Sequence, residues 1–178
     1  MKTFGVATVI ALALSLTVTA AVMTSSSGMQ DRPATKKTPT VLFMCPHGAA
    51  KSVLASAYFQ RLAKERGLNV RVESAGTEPD PEVSPAVAAH LRRQGYTVPV
   101  AKPRKVTTEE LGAADVVISI GCDLSGLPVP HGQLRQWDEV PALSEDFAAA
   151  DEAIRKRVVS LIEELLDADR SRKKPEHL

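Results

Sequence analysis

A cysteine, a lysine and a serine lie close together in a stretch of the sequence that could bind and attack an anion. Lys51 follows Cys45 by six positions, and Ser52 comes next. The apolar run at residues 41–44 predicts a buried parallel strand that ends at Cys45, and the apolar spacing after Ala50 predicts a helix. Such a strand–loop–helix turn directs backbone N–H groups and the positive end of the helix toward the cysteine. This environment favours a thiolate and an oxyanion bound beside it.

The loop resembles the phosphate loop of the low-molecular-weight protein tyrosine phosphatases and of the related thioredoxin-coupled arsenate reductases. The family loop has a cysteine, five residues, an arginine and a serine; this chain keeps the spacing but has Lys51 in place of the arginine. His47 and Gly48 stand where the family has a glycine and an asparagine. The resemblance implies that Cys45 is the nucleophile and that Ser52 steadies its thiolate. The predicted oxyanion contacts are Pro46, His47, Gly48, Ala49, Ala50 and Lys51.

Two further stretches extend the resemblance to about residues 39–166. Residues 74–77 read Ser-Ala-Gly-Thr, a turn that the family carries after its second strand, and we expect it to support the loop. The family also has a tryptophan followed by an Asp-Pro pair whose aspartate protonates the leaving oxygen. Here Trp137 is present, but a valine stands where the aspartate should be. The resemblance then implies Asp138 or Glu139 as the acid; both residues also fit solvated loop charges without a catalytic role.

The second cysteine of the chain, Cys122, closes a strand predicted at residues 115–120. Arsenate reductases carry a resolving cysteine at a matching place, so the resemblance implies that Cys122 is a redox partner of Cys45. Their third cysteine falls at Val129, so the onward disulfide relay is missing here. Two cysteines in an exported protein also suggest a disulfide, and a buried free thiol at Cys122 is the alternative.

The first 38 residues are predicted to lie outside the folded domain. Residues 1–23 resemble a secretory signal peptide, because residues 4–23 carry no charge and include a small-residue site of the kind that signal peptidase cuts, Val18-Thr19-Ala20. An uncleaved membrane anchor through residues 4–23 is the alternative. Residues 24–38 predict a flexible linker, residues 39–167 the domain, and residues 168–178 a charged, frayed tail. We therefore expect an exported protein, periplasmic or secreted.

Composition narrows the classes of partner and cofactor. The chain has 178 residues, enough for one domain with a core, and a net charge of +1, which argues against nucleic-acid binding. No Cys/His pair has zinc spacing, so neither a metal nor another cofactor is expected. The expected partner is a phosphorylated substrate or a free oxyanion, and the sequence leaves the oligomeric state open.

Strands and helices alternate along the chain, which predicts an α/β fold with a parallel sheet covered on both faces. Besides the strand that ends at Cys45, strands are predicted at residues 69–74 and 115–120. The main helices are predicted at residues 50–67, 81–95 and 147–166, with a short one after residue 107. The family resemblance implies three layers and four strands in the order 2-1-3-4.

Three functions fit these features. The first is phosphomonoester hydrolysis through a phosphocysteine at Cys45, with phosphotyrosine as one candidate substrate. The second is oxyanion binding without turnover. Lys51 favours this function, because a lysine cannot form the bidentate hydrogen bonds by which an arginine binds a phosphate. The third is arsenate reduction by Cys45 and Cys122.

Overall fold

The computed structural model describes residues 37–173. Residues 1–36, which contain the predicted signal peptide or anchor and nearly all of the predicted linker, lie outside the described residues, as do residues 174–178. Within the described part, none of the helices has both the length and the apolar character needed to cross a bilayer.

Four parallel strands form one sheet in the order β2-β1-β3-β4, which confirms the predicted α/β class and strand order. The strands are β1 (Thr40–Cys45), β2 (Arg71–Gly76), β3 (Val116–Ser119) and β4 (Leu134–Gln136). The helices are α1 (Lys51–Glu65), α2 (Pro85–Arg93), α3 (Thr108–Ala113) and α4 (Phe147–Lys173), and a short 3-10 turn covers His131–Gln133. Strand β1 lies between β2 and β3, so its carboxyl end is central.

The side chains of β1 alternate between two apolar clusters, one on each face of the sheet. Val41, Phe43 and Cys45 belong to the cluster formed with α1, α2 and α4. Leu42 and Met44 belong to the cluster formed with α3. Because side chains alternate along a strand, this pattern directs Cys45 to the side of the sheet where α1 begins.

Helix α2 begins at Pro85, four residues later than the sequence predicts. Ser84 caps it by accepting a hydrogen bond from the Val87 N–H at 3.5 Å, and a proline suits the first helical position. The segment before Pro85 is bound to the loop after Cys45 through the backbone amides of Glu78, Asp80 and Ser84, as described below.

Helix α4 continues to Lys173, although residues 168–178 are predicted to be a frayed tail. Ion pairs along the helix accompany this extension: Arg170 pairs with Asp167, and Lys173 lies 2.5 Å from Asp169. Pairs at this spacing favour a helix by a few tenths of a kcal/mol each. The charges that indicate a tail thus also stabilise a helix.

Strand β4 was implied by the family resemblance, but the sequence did not locate it. It has three residues, Leu134–Gln136, and none of them is buried. A strand this short has no apolar run or alternation for a sequence pattern to detect.

Candidate active site

The loop after β1 turns sharply at Gly48. The Gly48 N–H donates to the Cys45 carbonyl at 3.2 Å, and the φ angle of Gly48 is +59°. A positive φ angle favours glycine. This conformation accounts for the glycine at position 48, whereas the glycine of the related loops lies one position earlier.

The outer side of the loop is bound by the segment between β2 and α2. Three loop carbonyls accept hydrogen bonds from backbone amides of residues 78–84. The pairs are Pro46 with Glu78 at 2.8 Å, His47 with Asp80 at 3.0 Å, and Ala49 with Ser84 at 3.0 Å. In a planar trans peptide the N–H points opposite to the C=O, so the amides of His47 and Ala50 face the inner side of the loop. The loop is therefore built with inward donors, as an oxyanion cradle requires.

The Ser-Ala-Gly-Thr turn supports this loop by direct backbone contact. A Cβ atom on Gly76 would lie 2.5 Å from the Gly48 nitrogen, and one on Gly48 would lie 2.8 Å from the Gly76 nitrogen. The hydroxyl of Thr77 also donates to the Pro46 carbonyl at 3.4 Å. The turn thus sets the height of the loop above the sheet.

The sulfur of Cys45 is buried and faces two groups of Ser52. Cys45 Sγ lies 3.2 Å from Ser52 Oγ, and the Ser52 N–H donates to Sγ at 3.5 Å. Helix α1 has no side-chain cap at Ala50, so its positive end is open to the loop. The hydroxyl, the amide and the helix end are the groups expected to stabilise a thiolate.

Cys122 follows the strand next to β1 and packs, partly buried, against the apolar cluster on the α3 face of the sheet. The Ile120 N–H donates to the Met44 carbonyl at 2.8 Å, which places Cys122 two residues beyond the partner of β1. Burial is the main cause that raises the pKa of Cys122 to about 11; charge on Cys45 acts in the same direction, and Lys51 opposes it. Both cysteines are free thiols in the structure.

Lys51 directs its ammonium group toward the end of β3. A Cβ atom on Gly121 would lie 3.1 Å from Lys51 Nζ, so the absence of a side chain at Gly121 makes room for this cation. Lys51 also lines the cavity above Cys45. The same cation therefore borders the cavity above Cys45, where an anion would bind, and lies at the segment that carries Cys122.

A cavity of about 500 Å³ opens above the loop. Besides Cys45 and the loop residues Pro46, His47, Ala49, Ala50 and Lys51, its walls comprise Asp80, Ser84, Ala86, Val87, Ala142, Leu143, Ser144 and Phe147. His47 Nδ1 lies 3.3 Å from Asp80 Oδ1. The cavity thus combines a nucleophile, a cation and a histidine–carboxylate pair with an apolar far wall.

The comparison with known proteins decides the family. The sequence model of the family "Low molecular weight phosphotyrosine protein phosphatase" matches residues 40–168. The chain belongs to this family. The match confirms the resemblance inferred from the loop, the Ser-Ala-Gly-Thr turn and the tryptophan segment.

Relatives of this phosphatase family member include proteins described as reductases and proteins described as phosphatases. It is 29% identical over 127 residues to a putative arsenate reductase of Halobacterium salinarum, covering 68% of this chain and 89% of that one. A thioredoxin-dependent arsenate reductase of Corynebacterium glutamicum superposes with a TM-score of 0.66 at 30% identity, over 75% of this chain and 65% of that one. A low-molecular-weight phosphotyrosine phosphatase of Vibrio cholerae superposes at 0.62 with 22% identity, over 73% and 98%, which shows the shared fold.

The family's acid position is altered in this phosphatase-type domain. Trp137 and Val140 are both buried, and the Val140 N–H donates to the Trp137 carbonyl at 3.3 Å. The two residues between them are exposed: Asp138 accepts from Gln136 at 3.5 Å, and Glu139 pairs with Arg157. Neither carboxylate lines the cavity above Cys45. The structure therefore groups the predicted Cys45, Lys51 and Ser52, places Cys122 after the neighbouring strand, and leaves Asp138 apart; the redox role of Cys122 and the acid role of Asp138 stay predictions.

Asp80 is the site residue that sequence reasoning missed, and His47 was predicted only as an oxyanion contact of the loop. Asp80 stands in a Pro-rich loop that carries no helical or strand pattern. Its place at the cavity follows from backbone bonds to a loop more than 30 residues earlier, for which the sequence has no local signal. Among residues 37–173, no group of three His, Cys, Asp or Glu side chains could hold a metal ion.

Proposed function

We propose that this protein reduces a tetrahedral oxyanion of the arsenate type with Cys45 and Cys122. The observation that carries the proposal is the position of Cys122, which follows β3, the neighbour of the strand that ends at Cys45, at the carboxyl edge of the sheet. Membership of the family supports chemistry on phosphorylated substrates or oxyanions at Cys45. The relatives of 29% and 30% identity carry reductase descriptions.

In the first step the Cys45 thiolate attacks arsenic. A sulfur–arsenic bond forms, one arsenic–oxygen bond breaks, and the departing hydroxide takes one proton to leave as water. The amides of His47 and Ala50 and the ammonium of Lys51 would hold the remaining oxygens, because these residues line the cavity together with Cys45.

In the second step Cys122 attacks the sulfur of Cys45. A disulfide forms, the sulfur–arsenic bond breaks, and its electron pair stays on arsenic, which falls from the +5 to the +3 state. The proton of the Cys122 thiol ends on the arsenite. The raised pKa keeps Cys122 protonated at rest, and part of that rise comes from charge on Cys45. Lys51 acts in the opposite direction and favours the Cys122 thiolate that attacks in this step.

The disulfide must then be reduced by a thiol from outside the chain. The sequence contains two cysteines, so no third cysteine can carry the disulfide onward. A small thiol or a dithiol protein is the chemical class of reductant required.

Phosphomonoester hydrolysis is the second candidate, and the cradle around Cys45 favours it. The same thiolate, amides and Lys51 would hold the equatorial oxygens of a phosphoryl group and form a phosphocysteine. Two features weigh against hydrolysis. Lys51 lacks the planar guanidinium with which an arginine binds two phosphoryl oxygens, and neither candidate acid, Asp138 or Glu139, lines the cavity. Oxyanion binding without turnover needs only the cradle and leaves Cys122 without a role.

One pair of assays separates these functions. Reduced protein is incubated with arsenate and dithiothreitol, and separately with a small aryl phosphate, and the products are quantified for wild type, Cys45→Ser and Cys122→Ser. The proposal expects arsenite formation that both substitutions abolish. Phosphate release that needs Cys45 and not Cys122 would favour the hydrolase, and oxyanion binding without either product would favour the binder.

A further inference from the structure

His47 and Asp80 form a pair at the wall of the cavity that the two-thiol mechanism does not use. The side chains meet at 3.3 Å, Nδ1 to Oδ1, and a second bond joins the same two residues through the Asp80 N–H and the His47 carbonyl at 3.0 Å. This double attachment fixes the histidine relative to the loop that holds Cys45. Both residues line the cavity.

We propose that the His47 imidazolium donates the proton to the oxygen that leaves when Cys45 attacks, with Asp80 as its positioning residue. The inference rests on the proposed reaction at Cys45. The attack expels a hydroxide, a poor leaving group unless it is protonated as it departs. The other ionisable groups of the cavity wall are Cys45, which is the nucleophile, and Lys51, whose ammonium is assigned to the oxygens that stay on arsenic.

With His47 as the proton donor, the protons and charges of the first step balance. The thiolate of Cys45 and a hydrogen-arsenate dianion carry three negative charges; one proton from the imidazolium yields water and a Cys45–arsenate adduct with two. His47 is then neutral and Asp80 keeps its charge. The side chains of His47 and Asp80 are 62% and 50% exposed, so solvent can return the proton before the next cycle. Asp80 bonds to Nδ1, which leaves Nε2 to face the substrate.

The direction of the pH dependence follows from the role of the imidazolium as proton donor. The leaving oxygen needs this proton, so the first turnover should be faster at acidic than at alkaline pH.

The test is a single turnover without external thiol. Fully reduced protein is mixed with arsenate between pH 5 and 9, and arsenite is quantified against time for the wild type, His47→Gln, Asp80→Asn and Glu78→Gln. Glu78→Gln is the matched control, because Glu78 is an exposed carboxylate two residues away that does not line the cavity. Ionisation of arsenate itself is common to all four proteins and cancels in the comparison.

His47→Gln should slow arsenite formation about 10²-fold at pH 6 and weaken its dependence on pH. Asp80→Asn should slow it less, because the donor remains and only its positioning partner is lost, and Glu78→Gln should match the wild type. An unchanged rate and profile in His47→Gln would overturn the role of His47 while leaving the two-thiol reaction standing. Absence of arsenite from the wild type would instead overturn the proposed function and this role with it.

Discussion

The backbone of Gly76 lies against the backbone of Gly48, so close that a Cβ atom on Gly76 would come within 2.5 Å of the Gly48 nitrogen. One glycine ends β2 and the other makes the turn after Cys45. The contact explains why a turn without chemistry of its own accompanies the cysteine loop.

Gly76→Ala should therefore displace the loop. We expect a loss of about 1–3 kcal/mol in the free energy of unfolding and weaker phosphate or arsenate binding, because the methyl group meets backbone atoms that cannot rotate away. Denaturant unfolding and calorimetric titration with phosphate measure the two effects. Gly112→Ala is the matched control, since nothing lies within 4 Å of a Cβ there. Equal behaviour of the two variants would contradict the contact.

The cation of the loop can be tested by exchanging its chemistry. Lys51→Arg should raise turnover more than it raises oxyanion affinity, because the fork of arginine matches the transition state better than a point charge does. Turnover and phosphate affinity are measured side by side, with Lys51→Gln as the variant without charge. A loss of turnover in Lys51→Arg would show that the loop is built around lysine.

The raised pKa of Cys122 predicts its reactivity. A thiol with a pKa near 11 is almost entirely protonated at pH 8, so iodoacetamide should label Cys122 slowly, and the rate should rise about tenfold per pH unit. In Cys45→Ser the pKa should fall somewhat, since the charge on Cys45 is removed, but stay above 9 because burial remains. Mass spectrometry of the labelled protein between pH 7 and 10 gives the rates. Rapid labelling at pH 7.5 in both proteins would contradict the account.

The redox state of the two cysteines is a separate prediction. If the domain is exported, protein isolated without reductant should contain a Cys45–Cys122 disulfide and regain activity with dithiothreitol. The bond requires Cα atoms within about 7 Å, which neighbouring strand ends make accessible. Thiol counting under denaturing conditions measures it. Two free thiols in freshly isolated native protein would refute the prediction.

Sequence patterns predicted the strand, loop and helix around Cys45 well, because these elements depend on local structure. The apolar run before Cys45 and the helical period after it define a strand, a loop and a helix within about 25 residues. Contacts made by irregular segments were not predictable in this way. Asp80 contacts His47 because hydrogen bonds join the two loops that carry them. Asp138 lies between the buried residues Trp137 and Val140 and is itself exposed. These placements depend on tertiary packing.

The stoichiometry of one turnover tests the central claim most directly. Fully reduced protein is mixed with excess arsenate in the absence of any other thiol, and arsenite, free thiols and phosphorylated or arsenylated species are counted. The two-thiol account predicts one arsenite per protein, the loss of both thiols, a Cys45–Cys122 disulfide, and no arsenite from Cys122→Ser. Retention of both thiols with no arsenite, while the same protein hydrolyses an aryl phosphate equally well with and without Cys122, would contradict it.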